Sequence, residues 1–166
     1  MKNLVCCLLI SLSLPAFAAD LDVKSPWTRS TVQGQPATGA FMDLSSSTGV
    51  TLLSASSPVA GVVEIHEMKM DNGIMKMRAV QQIDIPSGQT VQLAPGGYHI
   101  MLMNLKSVLK PGDTVPVVLS FKDKTGKQQK ITVKTEVRDM TAPAAQPDDH
   151  AKMHEAMHEH MHGDHK

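Results

Sequence analysis

The chain has 166 residues, 16 Lys and Arg against 16 Asp and Glu, and a formal net charge of zero. Its basic residues are scattered rather than striped, which excludes the electrostatic footprint of a nucleic-acid partner or an anionic membrane surface. Aromatics are scarce (3 Phe, 1 Trp, 1 Tyr), while Met reaches 12 copies and His 8.

Residues 1–19 read as a secretory signal peptide. Lys2 supplies the positive start, Leu4 to Leu14 a short apolar run, Pro15 its break, and Ala16-Phe17-Ala18 the small residues of a cleavage site. Cleavage is expected after Ala18, with Ala19 the alternative, and export to the periplasm follows. The apolar run is too short to span a bilayer, and nothing downstream resembles a membrane helix. Both cysteines, Cys6 and Cys7, lie inside the segment to be removed, too near the start to look like a lipid-attachment site. The mature protein is then expected to hold no thiol. In an oxidising compartment a thioether is the durable soft donor, because it forms no disulfide and does not titrate.

Residues 20–140 read as one β domain. Runs with β-branched or alternating residues occupy 21–24, 39–46, 50–56, 61–70, 74–85, 90–93, 99–104, 114–122 and 130–137. Turn signals separate them at Asp71-Asn72-Gly73, Pro86-Ser87-Gly88, Pro95-Gly96-Gly97, Pro111-Gly112-Asp113 and Lys124-Thr125-Gly126. About 120 residues of this kind predict an all-β sandwich or barrel with its own core. Residues 141–147 then form a Pro/Ala linker. Residues 148–166 are a His/Met/acidic tail without core formers other than Met, expected to be disordered in the absence of a ligand.

Two histidines lie in the β domain, His66 and His99, each beside methionines on a predicted strand. Strand alternation puts His99, Met101 and Met103 on one face and Tyr98, Ile100 and Leu102 on the other, the better core face. Likewise His66, Met68 and Met70 share a face opposite Ile65. Met75 and Met77 share a face of the strand that returns after the 71–73 turn, which brings His66 near Met77. Positions two apart on a strand are separated by roughly 7 Å, within reach of convergence by flexible side chains. Imidazole with thioether suits Cu(I) far better than Zn, Mg or Ca, and the lack of a thiolate excludes a blue-copper centre. Glu64 and Glu67 flank His66 and are expected to face away from it, into solvent. Met42 and Met140 match no pattern and read as filler.

His66, then ten residues, Met77, then twenty-one residues, His99-Ile100-Met101 resembles the H-x10-M-x21-H-x-M signature of periplasmic Cu(I) chaperones of the PCuAC type. Pro26-Trp27-Thr28-Arg29, Thr38-Gly39-Ala40-Phe41-Met42 and Pro95-Gly96-Gly97-Tyr98 resemble the same family, over residues 20–138 in all. The resemblance implies a cupredoxin-like β-sandwich that holds Cu(I) with His66, Met77, His99 and Met101. It also implies delivery to the dinuclear copper centre of cytochrome c oxidase, directly or through a thiol-bearing assembly factor. Met68, Met70, Met75 and Met103 match no position of the signature and are expected to form a soft rim.

In the tail, His150, His154, His158 and His162 recur every four residues, as do Met153, Met157 and Met161, with His160 and His165 outside the series. On a helix, residues four apart are neighbours and can clamp one ion. The stripe winds by about 40° per step, so adjacent pairs rather than the whole row would share an ion. A helix of about fifteen residues is marginal alone, and order is expected only with metal. Imidazoles favour Cu(II) and methionines Cu(I), so the tail is expected to capture copper in either state. The domain offers no Ser-His-Asp set and no paired acids identifiable from sequence, so a non-enzymatic carrier is expected, and a monomer is the expected state. Its rival is a copper buffer serving tolerance, since the same ligands suit both.

Overall fold

The computed structural model describes residues 20–139. They form ten strands: β1 (Asp22–Arg29), β2 (Ala37–Ser45), β3 (Val50–Ser56), β4 (Ala60–Asp71), β5 (Ile74–Ala79), β6 (Ile83–Ile85), β7 (Thr90–Leu93), β8 (Tyr98–Leu105), β9 (Thr114–Asp123) and β10 (Gln128–Arg138). The run expected at 74–85 is two strands rather than one. β5 pairs with β4, whereas β6 pairs with β3, so the chain must leave one end of the sheet and reach the other across residues 80–82.

Hydrogen bonding is continuous in the order β5-β4-β8-β7-β2-β1-β10-β9-β3-β6. β2 serves two neighbours along the edge opposite β1. Its first half pairs with β8, from Ala37↔Met103 to Ala40↔Ile100, and its second half with β7, from Met42↔Leu93 to Ser45↔Thr90. The two ends of this order come together, β3 packing against β4, and the sheet folds over one core as a cupredoxin-like β-sandwich. β1 and β10 join in parallel, and a buried hydrogen bond of 2.7 Å between the Thr28 and Thr135 hydroxyls satisfies both where they meet.

The alternation that builds this core is plainest in β9. There Val115, Val117, Leu119 and Phe121 are all buried at every second position, and opposite them β10 contributes Val133, Thr135 and Val137. Two strands depart from that rule. In β4 both Ile65 and His66 are buried, and in β8 both His99 and Ile100. Ile65 and Ile100 face the core, so the imidazoles are covered from the other side.

That second cover depends on an irregularity in β1. Lys24 pairs with Asp43, but Trp27 rather than Pro26 pairs with Phe41, so one extra residue is inserted between them. Ser25 takes φ 49° within this bulge, and Pro26 sits where its missing N–H costs least. The bulge reverses which residues face the imidazole side of the sheet. It brings Trp27 opposite Phe41 and, one step further along, Arg29 beside Gly39. At the far end of β4, Asn72 and Gly73 adopt φ 49° and 79°, the left-handed pair of a two-residue hairpin turn.

Candidate metal centre

Strands β5, β4 and β8 run side by side and carry the four residues of the spacing signature on one face. His66 pairs directly with His99, and their ring centroids are 5.7 Å apart. Met101 pairs with Glu64, and Met77 pairs with Met68. Met77 and Met101 are therefore the diagonal neighbours of His66 on its two flanks, a separation that long side chains bridge. His99, Met101, Met77 and Met68 line one open cavity of about 330 Å³, together with Arg29, Gln35, Thr38, Gly39, Phe41 and residues of the 95–96 turn.

The remaining methionines divide. Met68 belongs to the cavity wall with Met77. Met70 pairs with Met75 one step nearer the hairpin tip, and both are exposed there, with Met70 and Met77 beside a second hollow of about 370 Å³. Met103 pairs with Val62 and Ala37, away from the imidazoles. Met42 is buried in the core. Met140 and every proposed tail ligand, from His150 to His165, lie outside the described residues, as does the 1–19 segment.

Hydrogen bonds assign the protons on both rings. His99 Nδ1 lies 3.1 Å from the Gly97 carbonyl, which only accepts, so Nδ1–H donates and Nε2 keeps its lone pair. Burial, outweighing that hydrogen bond, holds His99 below the usual imidazole pKa, with the charges of His66 and Arg29 acting in the same direction. A neutral ring is the form that binds metal. His66 Nε2 lies 2.9 Å from a Glu64 carboxylate oxygen, so it is the donor there. Its Nδ1 is buried with no hydrogen-bond partner. A buried imidazole nitrogen without a partner is costly, and a metal ion is one ligand that would satisfy it. Carboxylate-to-imidazole hydrogen bonds of this kind orient metal-binding histidines.

Glu64 thus corrects the expectation that both flanking acids face away. It sits two residues before His66, and the period-two rule that groups His66 with Met68 groups it with Glu64 as well. Glu67 does face the other way. It pairs with Arg78 at 3.0 Å, and the Arg78 guanidinium, with the Tyr98 hydroxyl, holds its carboxyl below the usual range. It is engaged rather than merely solvated.

Aromatic packing supports the cavity in a way the sequence reading did not assign. Trp27 and Phe41 stack with centroids 4.5 Å apart, and Phe41 lies 6.2 Å from the His99 ring. Phe41 can lie there because Gly39 has no side chain; a Cβ at that position would stand 2.6 Å from the Phe41 ring tip. Among the described residues there is no group of three or more His, Cys, Asp or Glu suited to a metal ion. The donor set on this face is two imidazoles and neutral thioethers, which matches a soft monovalent ion.

Residues 21–137 match the LpqE-like family, described as "Putative lipoprotein LpqE-like". "Putative lipoprotein Lxx21020" of Leifsonia xyli is 34% identical over 128 residues, covering 75% of this chain and 76% of that protein. "Uncharacterized protein RP573" of Rickettsia prowazekii is 35% identical over 126 residues, covering 72% and 69%. Among solved structures, the solution structure of CuI-DR1885 from Deinococcus radiodurans is 27% identical with a TM-score of 0.57, over 76% of this chain and 83% of that one. The copper-bound PCuAC domain from PmoF2, at 21% identity and a TM-score of 0.58, covers 73% and 94% and shares the fold. The chain belongs to the LpqE-like family, and its sandwich has the fold of the PCuAC domains of known structure.

Proposed function

We propose that this protein is an exported, non-enzymatic copper chaperone that holds Cu(I) with His66, Met77, His99 and Met101. The observation that carries the reading is the pair of buried imidazoles, each with one nitrogen engaged and the other available, on a face that also presents Met77 and Met101. Soft neutral donors favour Cu(I) over harder ions. The copper-bound state named for two proteins of this fold supports the same cargo. The lipoprotein naming of the family and of a relative supports export, with residues 1–19 as the signal peptide and 20–140 as the copper domain.

Delivery to a copper-requiring acceptor, such as the dinuclear centre of cytochrome c oxidase or a thiol-bearing assembly factor, is the role this open, neutral-ligand site suits. Residues 141–147 tether the His/Met tail of 148–166, which captures further copper including Cu(II). β10 ends at Arg138 in register with Arg29, a residue of the cavity wall, which supports a feeding role for a tail attached after it. The same ligands would serve a buffer for copper tolerance. A chaperone passes Cu(I) to its apo-acceptor faster than to a small chelator of equal affinity, and a buffer does not.

X-ray absorption on the Cu(I)-loaded protein ended at residue 140 tests the site. A first shell of mixed nitrogen and sulfur is expected. A shell of nitrogen and oxygen alone would overturn the assignment.

A further inference from the structure

The copper reading leaves one feature of the cavity without a purpose. Arg29 lines it, half-buried, and its guanidinium carbon stands 6.0 Å from the centre of the Phe41 ring. Its Nε–H is buried with no hydrogen-bond partner. No carboxylate among the described residues forms an ion pair with Arg29. The acid on this face, Glu64, is engaged by His66, and Glu67 by Arg78. A guanidinium carries five donors and is always charged, so burying part of it beside a soft-metal site without a counter-charge is costly.

Two neutral imidazoles and two thioethers leave bound Cu(I) with its full positive charge near the Arg29 cation, and the one carboxylate on this face, Glu64, offsets only one of the two charges. The two charges repel each other, and an anion between them relieves both.

We propose that Arg29 makes this cavity an anion seat next to the copper position, and that the anion it receives is the thiolate that withdraws the metal. This rests on the Cu(I) reading and names the chemical class of the partner's donor group. Entry is a ligand exchange: the sulfur lone pair of an already deprotonated thiol forms a Cu–S bond as a methionine Cu–S bond breaks. Copper stays monovalent throughout, and the displaced thioether leaves neutral. Met77, half-exposed on β5, is the donor placed to be displaced. Arg29 acts before the exchange, by drawing an anionic donor rather than a neutral one into the cavity.

Two measurements on the full chain test this. The first needs no copper. Thiocyanate, a soft monoanion, is titrated into the apo-protein while the Arg29 Nε–H and Phe41 ring resonances are followed by NMR. Saturable shifts of both are expected in the wild type, with those of the Phe41 ring retained in Arg29→Lys and lost in Arg29→Gln. Their absence in the wild type overturns the anion seat whether or not copper binds. The second compares Cu(I) withdrawal by cyanide and by methyl isocyanide, which share a carbon donor but differ in charge. Arg29→Gln should slow cyanide about ten-fold and change methyl isocyanide less than about two-fold, the difference a nearby charge makes at intermediate dielectric. Equal slowing of both means a structural role and overturns the inference, as does no slowing of either. Repeating the comparison with a two-cysteine peptide and with free 2-mercaptoethanol separates the sources: the larger dependence on Arg29 marks the thiolate the cavity serves. Failure of the wild type to take up Cu(I) in a His66-dependent way would instead defeat the copper reading and leave the thiocyanate result standing.

Discussion

The β9–β10 and β4–β5 hairpins are built from the same antiparallel ladder and put their apolar side chains to opposite uses. In β9–β10 they alternate inward, and Val115, Val117, Leu119 and Phe121 are removed from water. In β4–β5 they are left outside: Met70 is 58% exposed, Ile74 64%, Met75 44% and Met77 49%. Apolar groups left in water add little to stability. Their identity is therefore set by something other than packing, and thioether chemistry is what three of those four share. One sheet thus holds a half whose apolar side chains are buried and a half whose methionines stay exposed, and each half should respond to a different kind of substitution.

The comparison breaks if the halves respond alike. Phe121→Ala should cost about 3–5 kcal/mol, the usual loss for a fully buried Phe. Met75→Ala on the exposed strand should stay within about 0.5 kcal/mol. Chemical unfolding of both variants checks this, and comparable losses would erase the distinction.

Copper affinity should show the reverse dependence. Met77→Leu and Met101→Leu nearly conserve volume and should cost less than about 1.5 kcal/mol of stability. Each should nonetheless lower Cu(I) affinity by more than the roughly 10–100-fold typical of losing an outer hydrogen-bonding partner. Competition against a Cu(I) chelator reads this directly. Unchanged affinity in both would remove the thioethers from the site.

Glu64→Gln sharpens the picture within the donor half. The His66 Nε2–H would lose its carboxylate acceptor, and Cu(I) affinity should fall roughly 10-fold or somewhat more. Circular dichroism should not change, because the Glu64 side chain is about half exposed, at 46%.

The smallest effect belongs to Asp20, which ties the start of β1 to the 46–48 loop. Its carboxylate accepts from the Ser46 hydroxyl at 2.9 Å, the Ser47 hydroxyl at 2.6 Å and the Thr48 N–H at 3.0 Å. These hydrogen bonds, Ser47 first, hold its carboxyl well below the ordinary carboxylate range. A depressed folded-state pKa stabilises above the unfolded value of 3.8 and is lost as pH falls below it. Asp20→Asn should lower Tm modestly at pH 7, and the gap to the wild type should close as acid approaches pH 2. A gap independent of pH would deny the carboxylate that role.

Much of the architecture was legible in the chain. Period-two alternation separated Ile100 and Leu102 from His99 and Met101, and the Asn72-Gly73 pair marked the hairpin that sets Met77 opposite Met68. The split between β5 and β6 was not legible, because Val80-Gln81-Gln82 make their bend without a glycine or proline to mark it. Glu64 falls on the imidazole face by the same period-two rule that groups His66 with Met68. The bulge in β1 had a faint signal, a proline inside a strand, but which side chains it turns toward the imidazoles depends on pairing with β2.

The sequence by itself determined the strand content, the two-faced character of β4 and β8, and a donor set of imidazole and thioether, because these follow from local periodicity and from the chemistry of side chains. Only the tertiary structure decided that His66 stands across from His99, that each ring keeps one nitrogen available, and that Arg29 shares a cavity with His99, Met77 and Met101. Those facts join residues far apart in the chain. They depend on register and on the closing of the sheet, which short-range patterns do not encode.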